Sequence, residues 1–113
     1  MFAVIYRSWV FPDKEDEYKN LWQQIATYFV SERGAIGACL HKTNEGYYLA
    51  YSRWPDRATR DASWPGDKDP FELLPTNIAQ IITDIRSYID TSKPFPEITM
   101  DVACDLLPPL KLL

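Results

Sequence analysis

His41 is the only histidine in the sequence, and histidine is the side chain whose charge changes most readily near neutral pH. A lone histidine can act as a general base, but at the end of a predicted strand it is more simply a polar residue. No second histidine, cysteine, aspartate or glutamate stands at metal-ligand spacing from it, so we predict no metal site. The four glycines form no phosphate-binding loop, and no serine or cysteine occupies a nucleophile turn. We therefore expect no bound cofactor.

The stretch 53–57, Arg-Trp-Pro-Asp-Arg, is the most suggestive part of the sequence. Trp54 ends a predicted strand, and Trp64 follows the short helix that comes next. Together with Trp22 and Tyr28 on the first long helix, these rings could wall a flat aromatic pocket between helices and sheet. Alternatively, the tryptophans simply form the core of a small domain. The sequence alone does not separate these two interpretations.

Composition limits the classes of partner that the protein can have. The chain of 113 residues suits one domain, and its formal net charge of −4 gives an acidic surface. Such a surface repels phosphate backbones and anionic lipid headgroups, so we expect neither nucleic acid nor a membrane as partner. Apolar alternation starts at the N-terminus, with no signal peptide and no transmembrane span. We predict a cytoplasmic protein of one domain, residues 1–113.

The two cysteines, Cys39 and Cys104, lie inside strand-like runs and far apart in the sequence. Reduced, buried thiols are the expected state of such cysteines in a cytoplasmic protein.

Hydrophobic periodicity and breaker residues define the predicted elements. Asp13 is a suitable N-cap for the first helix, Asp56 is one for the second, and Pro75 is expected in the first turn of the third. An acidic run, residues 15–17, follows the first cap and complements the helix dipole. The predicted strands are 2–10, 35–41, 47–54 and 98–106, and the predicted helices are 13–31, 55–63 and 74–89.

This element order predicts an α+β fold of the ferredoxin-like β-α-β-β-α-β type. Right-handed crossovers and short connections then give a four-stranded antiparallel sheet in the order 4-1-3-2. In that order Cys39 and Cys104 fall on opposite edge strands, which makes a disulfide between them geometrically implausible.

The helices of this fold cover only one face of the sheet. The other face would carry Ala3, Ile5 and Trp9 of the first strand, which is too apolar a set to leave in water. Two such sheets packed face to face would bury it, so we predict a homodimer with two-fold symmetry. The tail 106–113 holds five leucines, and we expect it to dock on a surface, such as that of the partner subunit.

Several segments resemble the antibiotic biosynthesis monooxygenase family. They are the first strand, the helix opened by Pro12-Asp13, the segment 32–35 (Glu-Arg-Gly-Ala) that leads into the second strand, and 54–58 (Trp-Pro-Asp-Arg-Ala). The last segment is similar to the strand-to-helix junction of that family. The resemblance covers about residues 2–63 and the last strand, and it depends on the order and spacing of the motifs.

The resemblance implies a dimeric α/β barrel and a small cofactor-independent oxygenase that acts on quinols or polycyclic phenols. In that chemistry the substrate anion itself reduces dioxygen, and the protein supplies a pocket poor in water and a few groups that handle protons. The residues that this hypothesis assigns are Trp22, Trp54 and Trp64 as pocket walls and Tyr6, Arg53 or His41 for the protons.

Family members that degrade haem use an asparagine on the first strand with a tryptophan and a histidine on the helical side. In this sequence Tyr6 takes the asparagine position and Trp64 approximates the tryptophan, but no histidine follows it. We therefore do not expect this protein to degrade haem. The alternative to an oxygenase is a non-catalytic dimeric domain that binds a small aromatic metabolite.

Overall fold

The computed structural model describes residues 1–107, which form a four-stranded antiparallel sheet with helices on one face. The strands are β1 (Phe2–Ser8), β2 (Gly37–Lys42), β3 (Tyr48–Trp54) and β4 (Ile98–Asp101), and the helices are α1 (Glu15–Glu32), α2 (Arg57–Ser63), α3 (Pro70–Leu73) and α4 (Thr76–Arg86). The sheet order is β2-β3-β1-β4, which is the predicted order read from the other edge. The ferredoxin-like prediction is therefore confirmed.

The start of α1 differs from the prediction that Asp13 caps it. A 3₁₀ turn, Pro12–Lys14, precedes the helix, and the N-cap position falls on Lys14 without a side-chain hydrogen bond. The fixed φ of Pro12 favours this tight turn, in which the Lys14 N–H donates to the Phe11 carbonyl at 2.8 Å. Asp13 therefore lies inside the turn, where its carboxylate still complements the positive end of the helix dipole.

The end of α1 depends on Gly34. Its φ of +85° is left-handed, and it allows the Ala35 N–H to donate to the Phe29 carbonyl at 3.1 Å. A left-handed glycine just after a helix is the common device for ending it. The chain can then turn directly into β2.

The helices after β3 begin at side-chain caps. The Thr59 N–H donates to the Asp56 carboxylate at 2.7 Å, which confirms Asp56 as the N-cap of α2. In the same way Asp69 caps α3 by accepting from the Phe71 N–H at 3.0 Å. The helix predicted over 74–89 is observed only as α4, and it begins after Pro75 because a residue that precedes a proline disfavours helical backbone and Leu74 is extended. Pro75 is therefore the N-cap residue of α4 and does not lie in its first turn.

The segments that follow β1 and α4 are joined by backbone hydrogen bonds. Val10 pairs with Ile89 in an isolated antiparallel bridge. The Phe11 N–H donates to the Tyr88 carbonyl at 3.0 Å, and the Asp90 N–H donates to the Trp9 carbonyl at 2.8 Å. We call this segment pair, residues 9–11 and 88–90, the backbone clasp. Because of the clasp, α4 ends at Arg86 and not at the predicted residue 89. For the same reason β1 ends at Ser8 and not at the predicted residue 10.

The fourth strand is also shorter than the predicted 98–106. Its pairing with β1 ends at Asp101, and Asp105 beyond it makes different bonds. The Asp105 carboxylate accepts from the Leu107 N–H at 2.9 Å and from the Arg53 guanidinium at 2.7 Å. These side-chain bonds fold the chain away from the ladder, although the alternation of apolar residues continues.

The core lies between the sheet and the helices. Phe2 and Val4 of β1 and Ile82 of α4 are the largest fully buried side chains. No helix of residues 1–107 lies over the opposite face of the sheet, and Ile5 and Tyr51 are only half-buried there. We call this surface the open sheet face.

Both cysteines are exposed, so the prediction that they are buried is wrong. Cys39 pairs with Tyr51 across β2 and β3, so it lies on the open sheet face, and β2 is an edge strand. Cys104 follows β4, and both thiols are free. Of the predicted apolar tail, Leu106 and Leu107 are exposed, and residues 108–113 lie outside the described part. None of the helices within residues 1–107 combines the length and the apolar character needed to cross a membrane.

Candidate functional site

A cavity of about 220 Å³ lies between the helices and the sheet. Its walls come from one face of α1, from the last turns of α4 and from the segment after α2. Its floor is the helix-covered face of β2 and β3. We call it the helix–sheet cavity.

Small side chains on the sheet create the space. Residues of β3 alternate between the two faces, so Ala50, Ser52 and Trp54 all point toward the helices. Ala38 of β2 lies directly opposite Ser52 in the register. Three small residues on adjacent positions leave a depression in the sheet, and the helices above it cannot fill that depression completely.

Aromatic rings form one end of the cavity. The Phe29 ring lies 5.2 Å from the Trp64 ring and 6.3 Å from the Trp54 ring, both edge to face. The Tyr6 ring lies 5.7 Å from the Trp64 ring in a tilted arrangement. Trp22 lines the cavity from α1. A flat apolar ligand would meet ring faces and edges in this region.

Behind Tyr6 lies a buried charged group. The Arg60 guanidinium, on α2, donates to the Tyr6 hydroxyl at 2.7 Å and also to the Glu97 carboxylate. Arg60 is only 7% exposed. Because a buried charge is costly without partners, the ion pair with Glu97 stabilises this arrangement. We call Tyr6, Arg60 and Glu97 the Tyr6 cluster.

The Tyr6 cluster keeps its phenol protonated. Burial raises the pKa of Tyr6 to about 12, and the hydrogen bond from Arg60 offsets this effect only in part. At neutral pH the hydroxyl is therefore uncharged. It can accept from Arg60 and donate its own proton, but it is not a base.

Four of the residues predicted for the site line the helix–sheet cavity: Tyr6, Trp22, Trp54 and Trp64. Tyr28 does not line it. It lies on another stripe of α1, and its hydroxyl accepts from the Arg33 Nε at 2.9 Å. The three-and-four spacing of α1 brings Trp22 and Phe29 to the cavity and turns Tyr28 aside.

His41 and Arg53 lie on the open sheet face. His41 pairs with Leu49 at the edge of the sheet, and Arg53 pairs with Ala3. Neither can reach the helix–sheet cavity, because the sheet stands between. The Arg53 guanidinium is instead bonded to Asp105 at 2.7 Å.

The sequence did not predict a role for Arg60, Glu97 or Ser52. Arg60 precedes Trp64 by four residues, a spacing that places both on one side of a helical turn and could have indicated a shared site. Glu97 is 37 residues from Arg60, so no local pattern connects them. Among residues 1–107 no three histidine, cysteine, aspartate or glutamate side chains come close enough together to hold a metal ion.

The fold and the cavity define a ferredoxin-like domain with an aromatic site between helices and sheet. A family model described as antibiotic biosynthesis monooxygenase matches residues 1–63, more than half of the 113 residues. The chain therefore belongs to the antibiotic biosynthesis monooxygenase family, as the resemblance of its motifs indicated. No curated protein sequence matches it significantly.

Solved structures of low sequence identity share the fold. A crystal structure of an antibiotic biosynthesis monooxygenase has a TM-score of 0.67 at 17% identity, with 92% of this chain and all of the other covered. Rv0793 from Mycobacterium tuberculosis has 0.67 at 15% identity, with 94% and 98% covered. SnoaB, a cofactor-independent oxygenase from Streptomyces nogalater, has 0.65 at 16% identity, with 93% and 95% covered.

Proposed function

We propose that the protein is a cofactor-independent monooxygenase that binds a small quinol or phenol in the helix–sheet cavity. The observation that carries the proposal is a mainly apolar cavity walled by Trp22, Trp54 and Trp64, with the Tyr6 ring at its aromatic end. Membership of the family supports the reaction class. The description of SnoaB as a cofactor-independent oxygenase supports it further, on a similar fold.

The reaction needs no reductant besides the substrate. When a phenol becomes a quinone, one atom of dioxygen replaces hydrogen on a ring carbon and the other atom leaves as water. The ring supplies all four electrons. The protein has to bind the ring, exclude water and stabilise the charge that develops on the substrate oxygen.

The cavity offers no strong base for this reaction. The side chains of residues 1–107 that line it include neither a histidine nor a carboxylate, and Tyr6 is protonated at neutral pH. The substrate must therefore lose its proton to bulk water before it enters the cavity, which favours acidic phenols and quinols. A hydrogen bond donated by Tyr6 would stabilise the resulting anion.

The lack of a base also supports a second candidate, a non-catalytic dimeric domain that binds the same kind of molecule. Ring walls and a hydroxyl suffice to bind a small aromatic ligand. Only turnover separates the two functions.

A panel of benzoquinols and naphthoquinols under air tests both candidates. Oxygen uptake and quinone formation report turnover, and quenching of tryptophan fluorescence reports binding. A Trp9→Phe background improves the binding signal, because Trp9 contacts Tyr47 and Phe95 away from the cavity and would emit without responding. We expect oxygen uptake with at least one quinol, one dioxygen for each hydroxyquinone formed and with water as the second product. Plain quinone with hydrogen peroxide would instead indicate autoxidation without oxygen insertion.

Ala50→Phe is the control that assigns the activity to the cavity. Ala50 is 8% exposed on the floor, so a ring there fills the space that the substrate needs. Tight binding without turnover would contradict the monooxygenase proposal and favour the non-catalytic binding domain. Turnover that persists in Ala50→Phe would show that the cavity is not the site.

We also infer that two copies pair through the open sheet face. Ile5, Tyr51 and Ile98 stand in one row across three strands of this face, and Ile98 is 36% exposed. No helix of residues 1–107 covers this row, which is apolar enough to favour burial against a second copy. The dimer and the cytoplasmic location remain predictions.

A further inference from the structure

The floor of the helix–sheet cavity contains one polar atom that lacks a partner. Ser52 Oγ is buried, and it has no hydrogen-bond partner among residues 1–107. A buried hydroxyl without a partner is less stable than one with a hydrogen bond, because nothing compensates for its loss of water. Such a group is more easily explained if something else satisfies it.

The surroundings of Ser52 place this hydroxyl among apolar groups. Its neighbours across the strands are Val4 of β1 and Ala38 of β2, and the residues on either side of it on the same face of β3 are Ala50 and Trp54. Of these side chains only the Trp54 indole carries a donor, and it makes no hydrogen bond to Ser52 Oγ. A hydrogen bond to Ser52 Oγ from above the sheet therefore has to come from an occupant of the cavity.

We propose that the Ser52 hydroxyl anchors the ligand by a hydrogen bond to a ring oxygen, so that the site selects one-ring or two-ring aromatics with an oxygen directed at the sheet. The proposal rests on the proposed function, since it takes the helix–sheet cavity as the binding site. It makes Ser52 a specificity-determining residue for that site.

The size of the cavity limits the ligand to this class. A volume of about 220 Å³ lies below the range of roughly 300–1,000 Å³ that is typical of sites for drug-sized molecules. A polycyclic phenol of three or more fused rings would have to displace the walls. A hydroxyl can donate to a carbonyl and accept from a phenol, so the same residue can bind both the quinol and the quinone.

The experiment compares two probes, 1-naphthol and naphthalene, which differ by one hydroxyl. Their dissociation constants are measured by tryptophan quenching for the wild type, Ser52→Ala, Ser52→Thr and the surface control Ser31→Ala. The ratio of the two constants cancels any general change in the cavity, as in a double-mutant cycle. Thermal unfolding of each variant shows that it is folded.

We expect Ser52→Ala to weaken 1-naphthol relative to naphthalene by about five-fold, the effect of one net hydrogen bond. Ser52→Thr keeps a hydroxyl and should retain most of the preference, and Ser31→Ala should leave the ratio unchanged. An unchanged ratio in Ser52→Ala, with both probes still excluded by Ala50→Phe, would overturn the role of Ser52 and leave the cavity as the binding site. If neither probe binds the wild type, the cavity is not an aromatic site, and both proposals fall.

Discussion

Arg60 is the charged side chain that most strongly determines the geometry of the site, although it does not itself line the cavity. Its guanidinium bonds the β1 residue Tyr6 and Glu97, which precedes β4, to helix α2. Both bonds leave from Nη2, while Nη1 donates to Asp61 at 3.2 Å. A single ammonium would have to replace two nitrogens held in one plane, and it does so poorly. The position of the Tyr6 ring therefore depends on a residue on a different element.

Arg60→Lys should lower the free energy of unfolding by about 1–2 kcal/mol, because one of the two buried hydrogen bonds is lost. Urea denaturation measures the change. Arg57→Lys on the same helix is the matched control, with an expected change below about 0.5 kcal/mol, because Arg57 is exposed and its bond to Thr99 is long, at 3.5 Å. Equal effects of the two substitutions would mean that the Tyr6 cluster does not stabilise the fold.

The buried tyrosines should make the protein sensitive to alkali. Burial is the main cause that raises the pKa of Tyr6, and of Tyr18, from 10 to about 12. A pKa that is higher in the folded state contributes stability that is fully present below pH 10 and is lost as the pH rises through about 12. We therefore expect the free energy of unfolding to fall over this interval.

The test is denaturant unfolding at several alkaline pH values for the wild type and Tyr6→Phe. The variant lacks one of the groups that must ionise, so its stability should decline less steeply. A decline of the same slope in both proteins would assign the alkaline sensitivity to other groups.

The residue types of the site were easier to predict from the sequence than their placement. Trp54 and Trp64 were predicted as pocket walls or core from their places at the end of a strand and after the helix that follows it. Arg53 was chosen for its chemistry, yet it neighbours Trp54 on a strand and must therefore face the other side. Ser52 belongs to no recognisable sequence pattern. It stands out because its buried hydroxyl lacks a hydrogen-bond partner within residues 1–107, and only the folded structure shows this.

At the scale of elements, the end of α1 determines how the chain reaches β2. Gly34 adopts a φ of +85°, and a Cβ added there would lie 3.3 Å from the Thr59 methyl group of α2. An L-residue in the left-handed region costs roughly 1–2 kcal/mol. Both the backbone and the contact with α2 therefore favour glycine at this position.

Gly34→Ala should lower the free energy of unfolding by about 1–2 kcal/mol for these reasons. Gly37→Ala is the control, since Gly37 has no left-handed φ and a Cβ there meets nothing within 4 Å. Alanine in that strand should be neutral or should stabilise by roughly 0.5–1 kcal/mol. Chemical denaturation of both variants gives the comparison, and a neutral Gly34→Ala would contradict the backbone argument.

Helix and strand boundaries marked by local chemistry were predictable, such as the Asp56 cap of α2. The short helix α3 ahead of α4 and the early end of β4 were not. In β4 the apolar alternation continues past Asp101, but the Arg53–Asp105 ion pair at 2.7 Å takes the chain elsewhere. The early end of β4 therefore depends on a contact between residues 52 positions apart, and hydrophobic periodicity gives no information about such contacts.

At the scale of the whole molecule, the order of elements and the handedness of crossovers were enough to predict the sheet order. The open sheet face matters at this scale because two copies of the chain could pair through it. Ile98 lies on this face of β4, and the next residue, Thr99, lies on the other face. These two exposed neighbours form a matched pair for testing the dimer.

Ile98→Glu should convert the dimer to a monomer, because a carboxylate would be buried without a partner in the sheet-to-sheet interface. Thr99→Glu adds the same charge on the opposite face and should leave the dimer intact. Sedimentation velocity at micromolar concentration measures both. A monomeric wild type, or equal sedimentation of the two variants, would contradict the proposed pairing through the open sheet face.

The backbone clasp has a mechanical consequence for the cavity. It fixes the start of α1 to the end of α4 by main-chain hydrogen bonds, such as that from the Asp90 N–H to the Trp9 carbonyl. At the opposite end, α1 is tied to the short helix α3 and not to α4, because the Arg33 guanidinium donates to the Leu73 carbonyl at 3.1 Å. The clasp therefore sets the spacing of the two helical walls at the end of the cavity that Arg86 and Ile89 line.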